Sequence, residues 1–216
     1  MLLSQVQNYL AGFYEAPTAY DIDDFLITDP AHADALTPAG ERTNDERLLV
    51  AQTDDGVELS VYVDGEALSL LRDDDPFTGL HEGNLGAFML ALEGVSHFHY
   101  LCWNASFDKS VTLLELELQA EVDKYITALA LFGEQANTSG IEDVHERLFE
   151  NVRFRDDLPA DHLARYQDAN RYAGKYCRSL LTTYPEAHRE PCFRNELRRF
   201  YRLTQNEKIR RIESVR

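Results

Sequence analysis

The sequence predicts an α+β protein: a small antiparallel sheet packed with helices, followed by an all-helical C-terminal extension. Three observations carry that reading. Residues 48–53 and 57–63 are two strand-like runs flanking Asp54-Asp55-Gly56, and Asp-Gly supplies the positive φ angles of a tight hairpin turn. Residues 2–14 and the chain beyond Gly140 space their apolar side chains three and four apart, as one face of a helix requires. The run from Ser96 to Trp103 is rich in aromatic residues and reads as a buried strand.

Taken in order, Leu2, Leu3, Val6, Leu10 and Phe13 or Tyr14 form the stripe of a first helix, which stops between Gly12 and Pro17. Residues 24–29 follow as a short strand, and the Pro-, Ala- and Gly-rich stretch from Pro30 to Thr43 has no period and reads as a loop. In the second hairpin strand Val57, Leu59, Val61 and Val63 alternate with Glu58, Ser60 and Tyr62, which puts the valines on the core and the others in water. Asp64-Gly65 turns the chain again. Asn84 is placed to cap a helix through Leu85, Phe88, Met89 and Leu92 that stops at Gly94.

Residues 111–132 carry two periods. Leu114, Leu116, Leu118, Ala120 and Val122 alternate with polar residues as in a half-buried strand, yet Val111, Leu114, Leu118, Val122, Tyr125, Leu129 and Phe132 also fall on one helical stripe, with Thr112 and Glu115 as a potential capping box. The reading adopted is a strand to about Ala120 and a helix after it. Beyond Gly140, Ile141, Val144, His145, Leu148, Phe149 and Val152 form one helical stripe, and Leu163, Tyr166, Ala173, Cys177 and Leu180 form another. Pro185 and Pro191 set off a last segment in which Phe193, Leu197, Phe200 and Tyr201 make an apolar face and Thr204 with Glu207 restarts a helix.

Charge divides the chain. Residues 1–150 carry 29 acidic against 6 basic side chains, and residues 151–216 carry 9 against 15, within an overall formal charge of −17. This suggests an acidic α+β domain over residues 1–138 and an arginine-rich helical extension over 139–216 that docks on it. No run approaches the roughly 20 consecutive apolar residues of a membrane-spanning helix, so no membrane span is expected. The N-terminus lacks the basic region of a signal peptide, and the three widely spaced cysteines, Cys102, Cys177 and Cys192, suggest neither a disulfide framework nor a CxxC metal clip. A cytoplasmic protein with buried structural thiols is the expectation.

The element order helix, strand, loop, hairpin, helix, second hairpin, helix, together with residues 85–92, 97–104 and 112–118, resembles the type III secretion chaperones and the related YbjN-like proteins. The resemblance covers residues 1 to about 135. It implies a small antiparallel sheet backed by helices, often dimeric, that binds an extended segment of another protein and performs no chemistry. The loop from Pro30 to Thr43 and the chain from Gly140 to Arg216 depart from that family.

The chain has no GxSxG elbow, phosphate-cradling glycine loop, HExxH helix or dinucleotide fingerprint, so no cofactor is assigned. The favoured expectation is a non-enzymatic module that recognises a partner protein, with Phe98, Tyr100 and Trp103 of the aromatic run and Arg194, Arg198, Arg199 and Arg202 of the extension as binding residues. The arginines recur at helical spacing and suit phosphates and carboxylates alike, so nucleic acid is an alternative partner. A metal-dependent enzyme is the third reading. His97 and His99 share a face if they lie on a strand, and Glu93 precedes them by one helical turn, a set able to start a metal's ligand shell. On a strand, Glu115, Glu117 and Glu121 simply occupy the wet face.

Overall fold

The computed structural model describes residues 1–37, 46–53, 56–154, 158–184 and 191–214. Helix α1 (Leu2–Tyr14) buries Leu3, Val6, Leu10 and Tyr14, the stripe the spacing predicts, and ends at Glu15 in a left-handed conformation. The buried amide of Gln7 ties the returning chain to this helix: its Nε2 donates to Tyr20 O at 2.7 Å and its Oε1 accepts from Ile22 N at 2.9 Å. Strand β1 (Leu26–Ile27) then runs parallel to β3 (Gly56–Val63), which pairs antiparallel with β2 (Glu46–Thr53) from Glu46↔Val63 to Thr53↔Gly56. The sheet is therefore mixed, in the order β1-β3-β2. The hairpin stands as expected, while its turn residues 54 and 55 lie outside the described residues.

Several local expectations are overturned. Pro30–Leu36 is a helix, α2, rather than loop: Asp29 Oδ1 accepts from Ala31 N and Pro30 sits in the first turn, where its missing N–H costs nothing. The remainder of that stretch, 38–43, is outside the described residues. Asp64-Gly65 turns the chain out of β3 into α3 (Gly65–Asp73), with Asp64 Oδ1 accepting from Glu66 N and Ala67 N. Tyr62, expected in water, is buried with Ala33, Leu49 and Ile27 because α2 covers that face of the sheet. The Arg47 guanidinium lies 4.6 Å from the Tyr62 ring centre and bonds Asp34 and Thr37, closing the same layer.

The largest correction concerns the middle of the chain. Helix α4 runs unbroken over Glu82–Ala105, so Gly94 is interior and the aromatic run from Ser96 to Trp103 is helical. Gly94 marks a close approach instead of an end: a Cβ there would lie 3.1 Å from Glu46 Cγ and 3.2 Å from Val61 Cγ1, where the sheet rests on the helix. The second hairpin is likewise absent, because residues before Ala120 belong to α5 (Leu113–Glu134). Thr112 caps α5 by accepting from Glu115 N at 3.1 Å, half of the capping box that the sequence offered. Packing decides these cases against strand propensity: α4 and α5 are buried on nearly all sides, so neither keeps the single polar face that identifies a surface helix.

Past residue 137 the described residues are largely helical as expected, though the stripe drawn through Val152 ends at Glu150. Helix α6 (Thr138–His145) passes into a wide turn at Glu146–Glu150, and α7 (Ala160–Thr183) packs along α5 through Ala169, Ala173, Tyr176, Cys177 and Leu180. Helix α8 (Pro191–Tyr201) lies on α1, with Tyr201 stacked on Tyr14 at 4.2 Å and Phe200 on Tyr176 at 3.9 Å between ring centres. Thr204 and Glu207 then start α9 (Gln205–Ser214), with both the backbone N–H and the hydroxyl of Thr204 donating to Glu207 Oε2. One apolar core includes Leu3, Phe98, Val122, Cys177, Leu197 and Ile212, and so crosses residue 138 without a break. Cys102 and Cys177 are buried thiols, whereas Cys192 is exposed. Among the described residues no helix is long and apolar enough to cross a membrane.

Candidate metal centre

Glu93 and His97 stand one turn apart on α4 and face α5, from which Glu117, Glu121 and Lys124 project toward them. One ligand atom each from Glu93, His97 and Glu117 lie within 4.8 Å of one another. Strand β2 brings Glu46 to the other side of the imidazole, so that His97 Nδ1 lies 3.4 Å from Glu46 Oε1 and Nε2 lies 3.6 Å from Glu117 Oε2. From α7, Arg165 Nε approaches Glu117 Oε1 at 3.6 Å. Lys124 Nζ joins Glu93 Oε2 at 2.5 Å and Glu121 Oε1 at 2.9 Å.

His97 is only 6 % exposed, and its Nε2 is buried without a hydrogen-bond partner at normal distance. Burial by itself would lower its pKa, but Glu46 and Glu117 outweigh that and hold it well above the usual histidine range. Glu46 is raised by burial despite His97. Burial also pushes Glu93 up, but Lys124 and His97 overcome this and lower it, while Lys124, disfavoured by burial, is held charged by Glu121 and Glu93. The cluster floors a cleft of about 770 Å³ whose walls include Leu48, Val50, Met89, Leu101 and Leu113.

The structure brings together two of the three expected ligands. His99 is not beside His97, because on a helix two residues apart means nearly opposite faces. Its ring is buried on the far side of α4, 6.4 Å from that of Tyr201, and burial pushes its pKa down to about 4. Glu117, assigned to a wet strand face, takes the third place. Phe98, Tyr100 and Trp103 are buried, enclosed by α1, α8 and α9, so their aromatic surface faces the core rather than the exterior. Arg198 and Arg202 cap the C-terminus of α1: Arg202 donates to Tyr14 O and Glu15 O at 3.0 Å each, and Arg198 to Phe13 O at 3.3 Å, with an ion pair to Glu15. Arg194 and Arg199 are exposed, the former over the Phe13 ring.

A second polar cluster lies on the opposite side of α5, at residues not singled out as a site by the sequence reading. Lys208 of α9 is fully buried, its Nζ donating to Tyr100 Oη at 2.9 Å and Gln119 Oε1 at 2.7 Å. Tyr100 Oη donates onward to Glu115 Oε1 at 2.6 Å, and Gln119 Nε2 to Asp123 Oδ1 at 2.7 Å. Asp123 also accepts from Tyr14 Oη at 2.5 Å and Ser96 Oγ at 2.6 Å. Burial lowers the Lys208 pKa to about 7 and raises that of Asp123 to about 6, against the hydrogen bonds that favour the carboxylate. A spacing of four, Glu115, Gln119 and Asp123, was present in the sequence but had meaning only once α5 was known to be helical from its start.

No family model, no curated protein and no solved structure matches this chain.

Proposed function

We propose that the protein is a metal-dependent enzyme whose divalent cation is held by Glu93, His97 and Glu117. The observation that carries this reading is the His97 Nε2 atom, buried without a hydrogen bond between two carboxylates at the floor of a cleft. A buried N–H whose nearest acceptor stands 3.6 Å away is poorly satisfied, and a metal ion that displaces its proton would bind the ring nitrogen directly. Two carboxylates and one imidazole suit Mn²⁺, Fe²⁺ or Zn²⁺. Ligands about 2.1 Å from a shared ion stand roughly 3.4 Å apart in a tetrahedral arrangement, so the triad must close by about 1 Å. Three protein ligands leave coordination positions facing the cleft, as a catalytic metal requires.

The test is metal content and calorimetric titration with Mn²⁺ and Zn²⁺. The expected result is one equivalent per chain, lost in His97→Ala and Glu117→Gln but retained in His99→Ala. A wild-type chain that binds neither ion at millimolar concentration overturns the reading. With its three cysteines free, a reducing cytoplasm is the compartment this reading takes.

A second reading keeps the non-enzymatic partner-binding role and rests on another observation. Strand β2 is an edge of the described sheet, and Val50 on it is 53 % exposed near Leu113, 60 % exposed, on the wall of the same cleft. An extended segment of a partner protein would add to that edge and cover both side chains, in the manner the chaperone resemblance implies. Recovery of a stoichiometric partner by the wild type, abolished by Val50→Lys with Leu113→Lys, is the expected result; equal recovery by the double variant removes it.

A further inference from the structure

We infer that the cleft takes a phosphate-bearing substrate, whose oxyanion bridges the bound cation and the guanidinium of Arg165. This inference rests on the metal reading and adds the substrate class to it.

Three observations point to an oxyanion. The first is Arg165 itself, which reaches from α7 to the same Glu117 carboxylate that serves the metal triad, yet only at 3.6 Å. Among the described residues its Nε is buried without a hydrogen bond, while the guanidinium lies 5.3 Å from the Tyr166 ring centre, so one N–H is held at the floor of the cleft unused. A planar fork of N–H groups fits phosphate oxygens two at a time. The second is charge balance. With His97 neutral as a metal ligand, Glu46, Glu93, Glu117 and Glu121 face Lys124 and Arg165, an excess of two negative charges that a divalent ion cancels. Without the cation the floor repels an anion, and with it the floor accepts one.

The third observation concerns the walls. Arg147, Arg153 and His162 also line the cleft. Among the described residues Arg147 pairs with Glu82, itself 80 % exposed, and with Asp143, and such surface pairs yield readily to a competing anion. Arg47 is excluded from this role because Asp34, Thr37 and the Tyr62 ring hold it. Arginines lining the same cleft as the bound cation suit a multiply charged phosphate better than a single carboxylate, and the apolar wall of Leu48, Val50, Leu101 and Leu113 would receive the rest of the molecule.

The order of binding follows from the balance: cation first, phosphate second. The experiment is a titration of inorganic phosphate into the full chain with and without Mn²⁺, read by calorimetry and by ³¹P relaxation, since a phosphate seated on bound Mn²⁺ is strongly broadened. Phosphate binding that requires Mn²⁺, broadening beyond that of free Mn²⁺, and at least a tenfold loss of phosphate affinity in Arg165→Gln with Mn²⁺ binding retained are the expected results. If Mn²⁺ binds but phosphate neither binds nor is broadened, or if Arg165→Gln binds phosphate as the wild type does, the inference fails and the metal reading stands. If Mn²⁺ itself does not bind, both fail. Should Arg165→Gln not fold, the relaxation measurement on the wild type decides alone.

Discussion

Helix α5 separates two buried polar clusters that look alike in composition and differ in closure. On one side Lys208, Tyr100, Glu115, Gln119, Asp123, Tyr14 and Ser96 pass hydrogen bonds of 2.5–2.9 Å from one to the next, each of them buried. On the other, Lys124 closes on Glu93 and Glu121 at 2.5 and 2.9 Å, but Glu46, His97, Glu117 and Arg165 meet only at 3.4–3.6 Å, at the floor of an open cleft. Buried charge that is fully satisfied holds a core in one arrangement; buried charge left loose leaves room for a ligand. The difference separates a structural cluster from a candidate site without any appeal to residue type, since both contain carboxylates beside a lysine.

The comparison breaks most readily at Lys208. Lys208→Ala leaves Tyr100 Oη and Gln119 Oε1 without their shared donor and opens a cavity, and the change is expected to cost about 2–5 kcal/mol, read as loss of stability in urea at pH 8, with Mn²⁺ affinity unchanged where the variant remains folded. Glu117→Gln is expected to do the reverse, changing stability by about 1 kcal/mol because its contacts are long, while abolishing metal binding. Equal destabilisation by the two variants would erase the distinction between the clusters.

A pH series sharpens it. The folded-state pKa of Lys208, about 7, lies below the ordinary 10.5, so between those values the unfolded chain binds more protons than the folded one and stability rises with pH. The burial penalty is felt in full below about pH 7. Wild type should therefore gain in thermal midpoint relative to Lys208→Met as pH rises from 7 toward 10.5, the difference cancelling the tyrosine and cysteine titrations common to both. A flat difference would show that the ammonium keeps its ordinary pKa. The smallest effect is expected of Gly94→Ala, where about 1 kcal/mol gained in helix propensity offsets the crowding of Glu46 and Val61. Its signature is a change in metal affinity, through displaced Glu46, larger than any change in stability.

The sequence made legible those elements that keep a single wet face. Helix α1, the β2–β3 hairpin, α7 and the Thr204–Glu207 start of α9 followed from spacing and capping. It misled where helices are enclosed. In α5, Glu115, Gln119 and Asp123 serve one buried cluster while Glu117, Glu121 and Lys124 serve the other, and two polar stripes interleaved with leucines imitate the alternation of a strand. In α4 the aromatics of Ser96–Trp103 fill the core from several directions, which the β-propensity of single residues does not anticipate. The same misreading governed the site: Glu93 and His97 are separated by one helical turn and were found, His99 was paired with His97 through a strand that does not exist, and Glu117 and Arg165 depend on how α5 and α7 meet α4.

The position of Lys208 also bears on how the molecule is made. A chain emerging from the ribosome exposes α1, α4 and α5 long before residue 208, and until then Glu115, Asp123 and their relays have no cation to close on. Ile212, fully buried, arrives later still. The two central helices must therefore wait, partly assembled, for the last helix, and translation itself sets the moment of folding. Arrested chains ending at residue 203 should stay open to protease, whereas those extended past residue 214 and clear of the exit tunnel should close.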